Sequence, residues 1–159
     1  TLIRERSRAL VTHLRSNPAD RATYGLIHAD LTERNFCFRE GQITVFDFDN
    51  CEYAWFVKDV AVILYYAIRS TSPCEHDAFA SEFLTDFLRG YRQVRALPAP
   101  ALAMIPDFLA LQALMNYALF HQLLDRRQPL SDDAIDTWRR SREFLESGAP
   151  VLSLPFAMF

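Results

Sequence analysis

The stretch His28-Ala29-Asp30-Leu31-Thr32-Glu33-Arg34-Asn35, followed by Val45-Phe46-Asp47-Phe48-Asp49, decides how the rest of this chain is read. Its first part has the form H-x-D-x-x-x-x-N, and Asp47 lies twelve residues beyond Asn35. Between them Phe36-Cys37-Phe38 and Ile43-Thr44-Val45-Phe46 are short apolar, β-branched and aromatic pieces separated by Glu40-Gly41-Gln42, a turn composition. This predicts a small hairpin pairing residues 35–38 with 43–46. Such pairing brings Asn35 and Asp47 to the same open end.

Outward from the hairpin the period changes from two to about 3.6. Upstream, Leu2, Ile3, Leu10, Val11 and Leu14 predict a helix over 2–14, stopped by Asn17-Pro18. Downstream the pattern is helical throughout. Helices are expected over 59–69 and over 77–95, the second carrying Phe79, Phe83, Phe87 and Tyr91 at four-residue spacing, taken as core packing. Pro106 suits the first turn of a helix to about 124, apolar nearly all round and so expected to be buried. Ser131-Asp132-Asp133 can cap a last helix to 145. Pro98 with Pro100, and Gln128-Pro129, mark connections, and the tail over 151–159 is expected to lie extended across the surface. The expectation is one domain over 1–159, mostly helical α+β, with one small β-hairpin carrying the polar residues.

Composition narrows the function. With 159 residues, half of them hydrophobic, and a net charge of -3, the chain can bury a core and lacks the positive excess of a nucleic-acid binder. No uninterrupted apolar run reaches the ~18–20 residues of a membrane span, because Gln112 and Asn116 break the longest candidate. The charged start, Leu2-Ile3-Arg4-Glu5-Arg6, is unlike a signal peptide, and the absence of an initiator Met suggests a processed chain or an excised piece. Cys37, Cys51 and Cys74 are odd in number and widely spaced, which favours free thiols in the cytoplasm over disulfides or zinc.

The polar pattern suits phosphoryl transfer. Asp30, at the start of a tight loop, can accept the proton of an acceptor hydroxyl. Asn35 can offer a neutral oxygen to a metal ion, and Asp47, at a strand end, a charged one to Mg²⁺, a hard cation that prefers oxygen. Asp49 is open between second metal ligand, acceptor contact and structural acid. His28 is expected to brace the loop and Asp59 to cap its helix while bonding back to it. His13, His76 and His121 have no partners at metal-ligand spacing.

These motifs resemble the aminoglycoside phosphotransferase and choline kinase-like family of small-molecule kinases. Ile27-His28-Ala29-Asp30-Leu31 with Asn35, then Phe46-Asp47-Phe48-Asp49, then Lys58-Asp59-Val60-Ala61 are similar to that family's catalytic loop, metal strand and following helix start. Ala29 stands where glycine is usual, Thr32 where histidine is frequent, and Asp49 where protein kinases have glycine, so a protein substrate is disfavoured. The resemblance implies a protein-kinase-like C-terminal lobe that transfers the γ-phosphoryl group of ATP, with Mg²⁺, to a hydroxyl of a small molecule. It also implies an N-terminal lobe with a glycine-bearing loop and a strand lysine. Only 27 residues precede His28, and Lys58, the sole lysine, lies downstream. That lobe is therefore expected to be missing, the chain alone inactive, and its inter-lobe seam open to self-association.

Three rival readings follow from the same residues. A degenerate lobe would serve as a binding module. A D-x-D phosphatase would use Asp47 as nucleophile, and a D-x-D glycosyltransferase would use Asp47 and Asp49 on a metal. Both D-x-D readings require a parallel sheet from alternating strands and helices.

Overall fold

The computed structural model describes residues 2–126 and 129–159, so Gln128 of the expected Gln128-Pro129 connection lies outside the described residues. The elements run α1 (Leu2–Ser16), β1 (Tyr24–Ile27), β2 (Phe36–Arg39), β3 (Gln42–Val45), β4 (Glu52–Trp55), α2 (Val57–Ala67), α3 (His76–Tyr91), α4 (Ala99–Leu102), α5 (Ile105–Asp125) and α6 (Asp132–Ser147). By internal contacts they form two compact units. One is Thr1–Pro18 with Leu109–Val151, the other Ala19–Phe108 with Leu152–Phe159.

The first unit is helical. Leu14 of α1 is buried, and Arg6 on the same helix donates to the carbonyls of Leu145 at 2.8 Å and Glu146 at 2.6 Å. Those carbonyls are among the orphan acceptors at the end of α6, where a cation also meets the negative end of the helix dipole. Gly148 ends α6 with φ 71°, and a Cβ there would lie 2.8 Å from the Arg6 guanidinium. The left-handed φ is what favours glycine here, since the Arg6 guanidinium is the movable end of a flexible side chain. At the other end the Ser131 hydroxyl accepts the Ala134 N–H at 3.2 Å, the cap the sequence predicts.

The second unit holds two two-stranded sheets rather than one. The expected hairpin is β2–β3, with Phe36 opposite Val45 and Arg39 opposite Gln42. Glu40 and Gly41 both have positive φ, 51° and 79°, the primed turn that matches the twist of a tight hairpin. The additional sheet pairs β1 with β4, Tyr24 opposite Trp55 and Ile27 opposite Glu52. The β4 residues, Glu52-Tyr53-Ala54-Trp55, are too short a run to stand out, and only their partner makes them a strand. Both pairs are antiparallel, so among the described residues there is no parallel sheet of the kind the two D-x-D readings need.

Helix α2 is the centre of this unit: Val57, Val60, Ala61, Val62 and Leu64 are essentially inaccessible. Beyond Lys58 and Asp59 in its first turn it is apolar on nearly every side, the mark of an enclosed helix. Ala80, Leu84 and Leu88 form the buried stripe of α3. The aromatic row Phe79, Phe83, Phe87 and Tyr91 is not core but half-buried, each ring stacked on the next at 5.7–6.1 Å.

Three expectations about the C-terminal half change. The Pro98–Pro100 connection contains the short α4. The tail is anchored rather than merely laid across the surface, with Leu152 and Phe156 buried and the Ser153 N–H held by Asp77 at 2.9 Å. Helix α5 is buried at Ile105, Phe108, Leu109 and Ala113 but exposes Met115, Leu119 and Leu124. By length and composition alone Ala99–Asp125 is also long and apolar enough to cross a membrane, although no unbroken apolar run is; 44% of its 18-residue apolar window is buried within the protein.

Candidate active site

The loop between β1 and β2 is fixed by α2. Asp59, in the first turn of α2, accepts the backbone N–H of His28 at 2.9 Å on Oδ2 and that of Ala29 at 2.8 Å on Oδ1. Ala29 has φ 64°, a left-handed conformation that costs an alanine roughly 1–2 kcal/mol. This explains why glycine suits the position. Charge-assisted bonds from a carboxylate, about twice as strong as neutral ones, offset the strain. The Asp59 carboxylate therefore ties the loop to the start of α2.

The His28 ring is buried and its two nitrogens have opposite roles. Nδ1 lies 3.3 Å from the Asp30 N–H and must accept from it. Nε2 then carries the proton and donates to the Phe46 carbonyl at 3.0 Å. The ring is neutral in this arrangement and also packs on Phe48 at 4.8 Å. It joins the loop to the end of β3.

Asn35 is buried. Its amide nitrogen donates to the Asp30 carbonyl at 2.8 Å and to Asp30 Oδ2 at 3.1 Å, which orients the amide oxygen away from Asp30. Its backbone carbonyl accepts the Phe46 N–H at 3.0 Å, adding one rung to the hairpin. Phe46 is thus tied to His28 through its carbonyl and to Asn35 through its N–H, and Asp47 follows directly. Asp47 has φ 66° and ψ 62°, a strained conformation for a residue with a Cβ. Its side chain and that of Asp49 are exposed. Among the described residues no group of three or more His, Cys, Asp or Glu side chains forms a metal cluster; a set of Asp47 with an Asn35 amide oxygen is of another kind.

Two residues enter the site without having been singled out. Asn50 closes the short turn Phe48–Asn50 and donates to Asp30 Oδ2 at 3.4 Å; it sits one place after the D-F-D run, where the sequence gives no sign of it. Thr32, noted only as a departure, accepts the Arg34 N–H on its hydroxyl at 3.4 Å and the Asn35 N–H on its carbonyl at 3.0 Å. It shapes the turn that presents Asn35. Beside the site, Glu52 is ion-paired to the buried Lys58.

Behind the loop, burial pushes the Tyr91 phenol above its ordinary value of 10.0, with Arg95 opposing and Asp59 adding to the rise. Arg95 donates to the carbonyls of Arg21 at 3.2 Å and Ala22 at 3.4 Å and lies 3.8 Å over the Phe56 ring. The same ring packs on Gly25 so closely that a Cβ there would lie 2.8 Å from it. Phe56 thereby docks the start of α2, and with it Asp59, against β1.

Comparison with known proteins places the chain among small-molecule phosphotransferases. The model of the phosphotransferase enzyme family matches residues 2–97. The amicoumacin kinase of Bacillus subtilis (strain 168) is 36% identical over 151 residues, 94% of this chain and 45% of that protein. The solved structure of the amicoumacin kinase hAmiN in complex with AMP-PNP, Ca²⁺ and Ami superposes with a TM-score of 0.87 at 36% identity, over 99% of this chain and 47% of that one. A microcompartment-associated aminopropanol kinase is similar at a TM-score of 0.64 and 29% identity, over 92% of this chain and 45% of its own. The chain spans about half the length of these relatives.

Proposed function

The chain belongs to the phosphotransferase enzyme family, and on that premise we propose that it is the catalytic-loop portion of an ATP-dependent kinase that phosphorylates a hydroxyl of a small molecule. The observation that carries the reading is the holding of Asp30. Amide donors from Asn35 and Asn50 converge on Oδ2, which leaves Oδ1 for the acceptor hydroxyl. In phosphoryl transfer the protein's work is mostly positioning and electrostatics. Asp30 aims the hydroxyl and takes its proton, while His28 and Asp59 keep the loop from moving.

The residues fit a divalent metal, Mg²⁺ in our reading. Asn35 has its amide nitrogen committed to Asp30, so its oxygen is the available end, and Asp47 offers an exposed carboxylate at the end of the same hairpin. Two protein oxygens suit an ion that keeps waters and takes its remaining ligands from phosphates. The metal would neutralise charge on the phosphate oxygens of ATP. Asp49, equally exposed, is a second metal or acceptor contact.

The nucleotide lobe, with its lysine, lies in our reading beyond this chain, and relatives about twice as long leave room for it. Leu26, Phe38, Ile43, Phe48 and Tyr53, all exposed around the two small sheets, support a surface that another lobe covers. Without that cover the chain alone is expected to self-associate. The three cysteines, all free, suit a cytoplasmic enzyme.

The test is ADP release by the complete protein, with Mg²⁺ and a panel of amino alcohols, aminoglycosides and other hydroxyl compounds. Phosphorylation of one panel member supports the reading. Tight Mg²⁺-dependent nucleotide binding with no transfer to any of them would replace it with the binding-module reading.

A further inference from the structure

Arg95 follows the end of α3, its N–H bonded to the Tyr91 carbonyl at 3.0 Å, and takes no part in the chemistry assigned to the Asp30 loop. We propose that Arg95 is a positioning residue for phosphoryl transfer: through Phe56 and Asp59 it keeps the strained loop at Ala29 in the geometry that aims Asp30. The proposal rests on the reading of Asp30 as the residue that takes the hydroxyl proton.

Each link is a contact. Nη2 of Arg95 donates to the carbonyls of Arg21 and Ala22, just ahead of β1, at 3.2 and 3.4 Å. Its guanidinium carbon lies 3.8 Å from the centroid of the Phe56 ring. The planar group thus stacks on the ring while tied to the lead-in of β1. The Phe56 N–H donates to the Thr23 carbonyl at 2.9 Å, and the Phe56 carbonyl accepts the Asp59 N–H at 3.2 Å. A shift of Phe56 therefore carries the Asp59 backbone with it. Asp59 in turn holds the N–H groups of His28 and Ala29.

The alanine is what makes this chain of contacts matter. Ala29 sits at φ 64°, a region that a residue with a Cβ leaves when nothing holds it there. A loosened Asp59 lets the loop relax and moves Asp30 off the hydroxyl it aims. Misplacement of this kind lowers kcat without weakening ground-state binding. A glycine at the position has no such tendency, so the dependence on Arg95 belongs to Ala29.

The test is a set of four complete proteins: parent, Arg95→Ala, Ala29→Gly and the double variant. For each, ADP release from MgATP is measured with the amino alcohol, aminoglycoside or other hydroxyl compound that the parent phosphorylates, together with hydrogen exchange at residues 28 and 29. Arg95→Ala is expected to lower kcat about tenfold, with KM for ATP and acceptor changed by less than about twofold. Exchange of the two amides held by Asp59 should quicken about tenfold. In the Ala29→Gly background the kcat loss should shrink to about twofold, a coupling that a purely structural role would not produce. Should Arg95→Ala not fold, Arg95→Lys, which keeps the charge and loses the planar stack, should show the same pattern at reduced size. An equal kcat loss in both backgrounds, a rise in KM with kcat unchanged, or parent-like exchange at residues 28 and 29 would overturn the proposal. Asp30→Asn, assayed alongside, separates two failures. Near-normal turnover there removes the kinase reading and this inference with it, whereas impaired Asp30→Asn beside a parent-like Arg95→Ala overturns this inference alone.

Discussion

The carboxylate of Asp59 accepts the N–H of Ala29 at 2.8 Å across thirty residues of sequence, and Ala29 has φ 64°. A strained residue is held in place by the first turn of the unit's most enclosed helix. The shape of the candidate catalytic loop is therefore set by the core beneath it.

Ala29→Gly should stabilise the chain. Relief of the left-handed alanine is worth about 1–2 kcal/mol, less about 0.4–1 kcal/mol for the added freedom of the unfolded glycine. A net gain of about 0.5–1 kcal/mol in urea unfolding is expected. Asp59→Asn should cost more than that, because its NH₂ end would face an N–H donor. Equal stability of both variants with the parent would show that Asp59 does not hold the loop.

Asp30→Asn and His28→Ala should separate chemistry from scaffolding in the complete enzyme. The first keeps shape but not charge or basicity, and should lower turnover by about 10²–10⁴ with little change in nucleotide affinity or Tm. His28→Ala leaves the Phe46 carbonyl without its donor and should lower Tm as well as rate. Near-normal turnover in Asp30→Asn would remove the kinase reading.

The proposed metal residues should also behave differently. Asp47 is exposed and Asn35 buried. Asp47→Ala is expected to abolish activity while lowering Tm only modestly, by the cost of placing alanine at φ 66°. Asn35→Ala should lower both, by about 1–3 kcal/mol in stability, with activity partly restored at high Mg²⁺. Retained activity in Asp47→Ala together with its loss in Asp49→Ala would reverse the roles of the two acids.

Tyr91 makes a prediction about alkali. Its phenol is raised above 10.0 in the folded protein, mainly by burial. The unfolded chain therefore ionises first as pH rises, and the folded state loses stability above pH 10 until its own phenol ionises. Urea midpoints at pH 9 and 11 should fall further in the parent than in Tyr91→Phe. An identical drop in both would exclude Tyr91 as a source of alkaline sensitivity.

The chain without further segments should show no measurable ATP-dependent turnover, since positioning of the nucleotide supplies much of the rate. Light scattering should detect association at high concentration. Robust phosphorylation by the 159-residue chain would contradict the two-lobe reading.

Local chemistry made much of this legible. The apolar spacing along residues 2–14, the Ser131 cap and the Glu40-Gly41 turn are short-range signals, and α1, α6 and the β2–β3 hairpin follow them within a residue or two. The positions of His28, Asp30, Asn35 and Asp47 along the chain were likewise sufficient to nominate them. Strand β4 was not legible, because Glu52-Tyr53-Ala54-Trp55 becomes a strand only by pairing with Tyr24-Gly25-Leu26-Ile27. Nor was Asn50, which reaches Asp30 from twenty residues away. The hydrogen-bond roles of the His28 ring, the Lys58–Glu52 pairing and the exposure of Met115, Leu119 and Leu124 on α5 also depend on what each residue meets in space. Sequence fixes intrinsic preference and spacing over a few residues; hydrogen-bond partners, burial and the direction of a carboxylate are set by segments that the chain brings together only when folded.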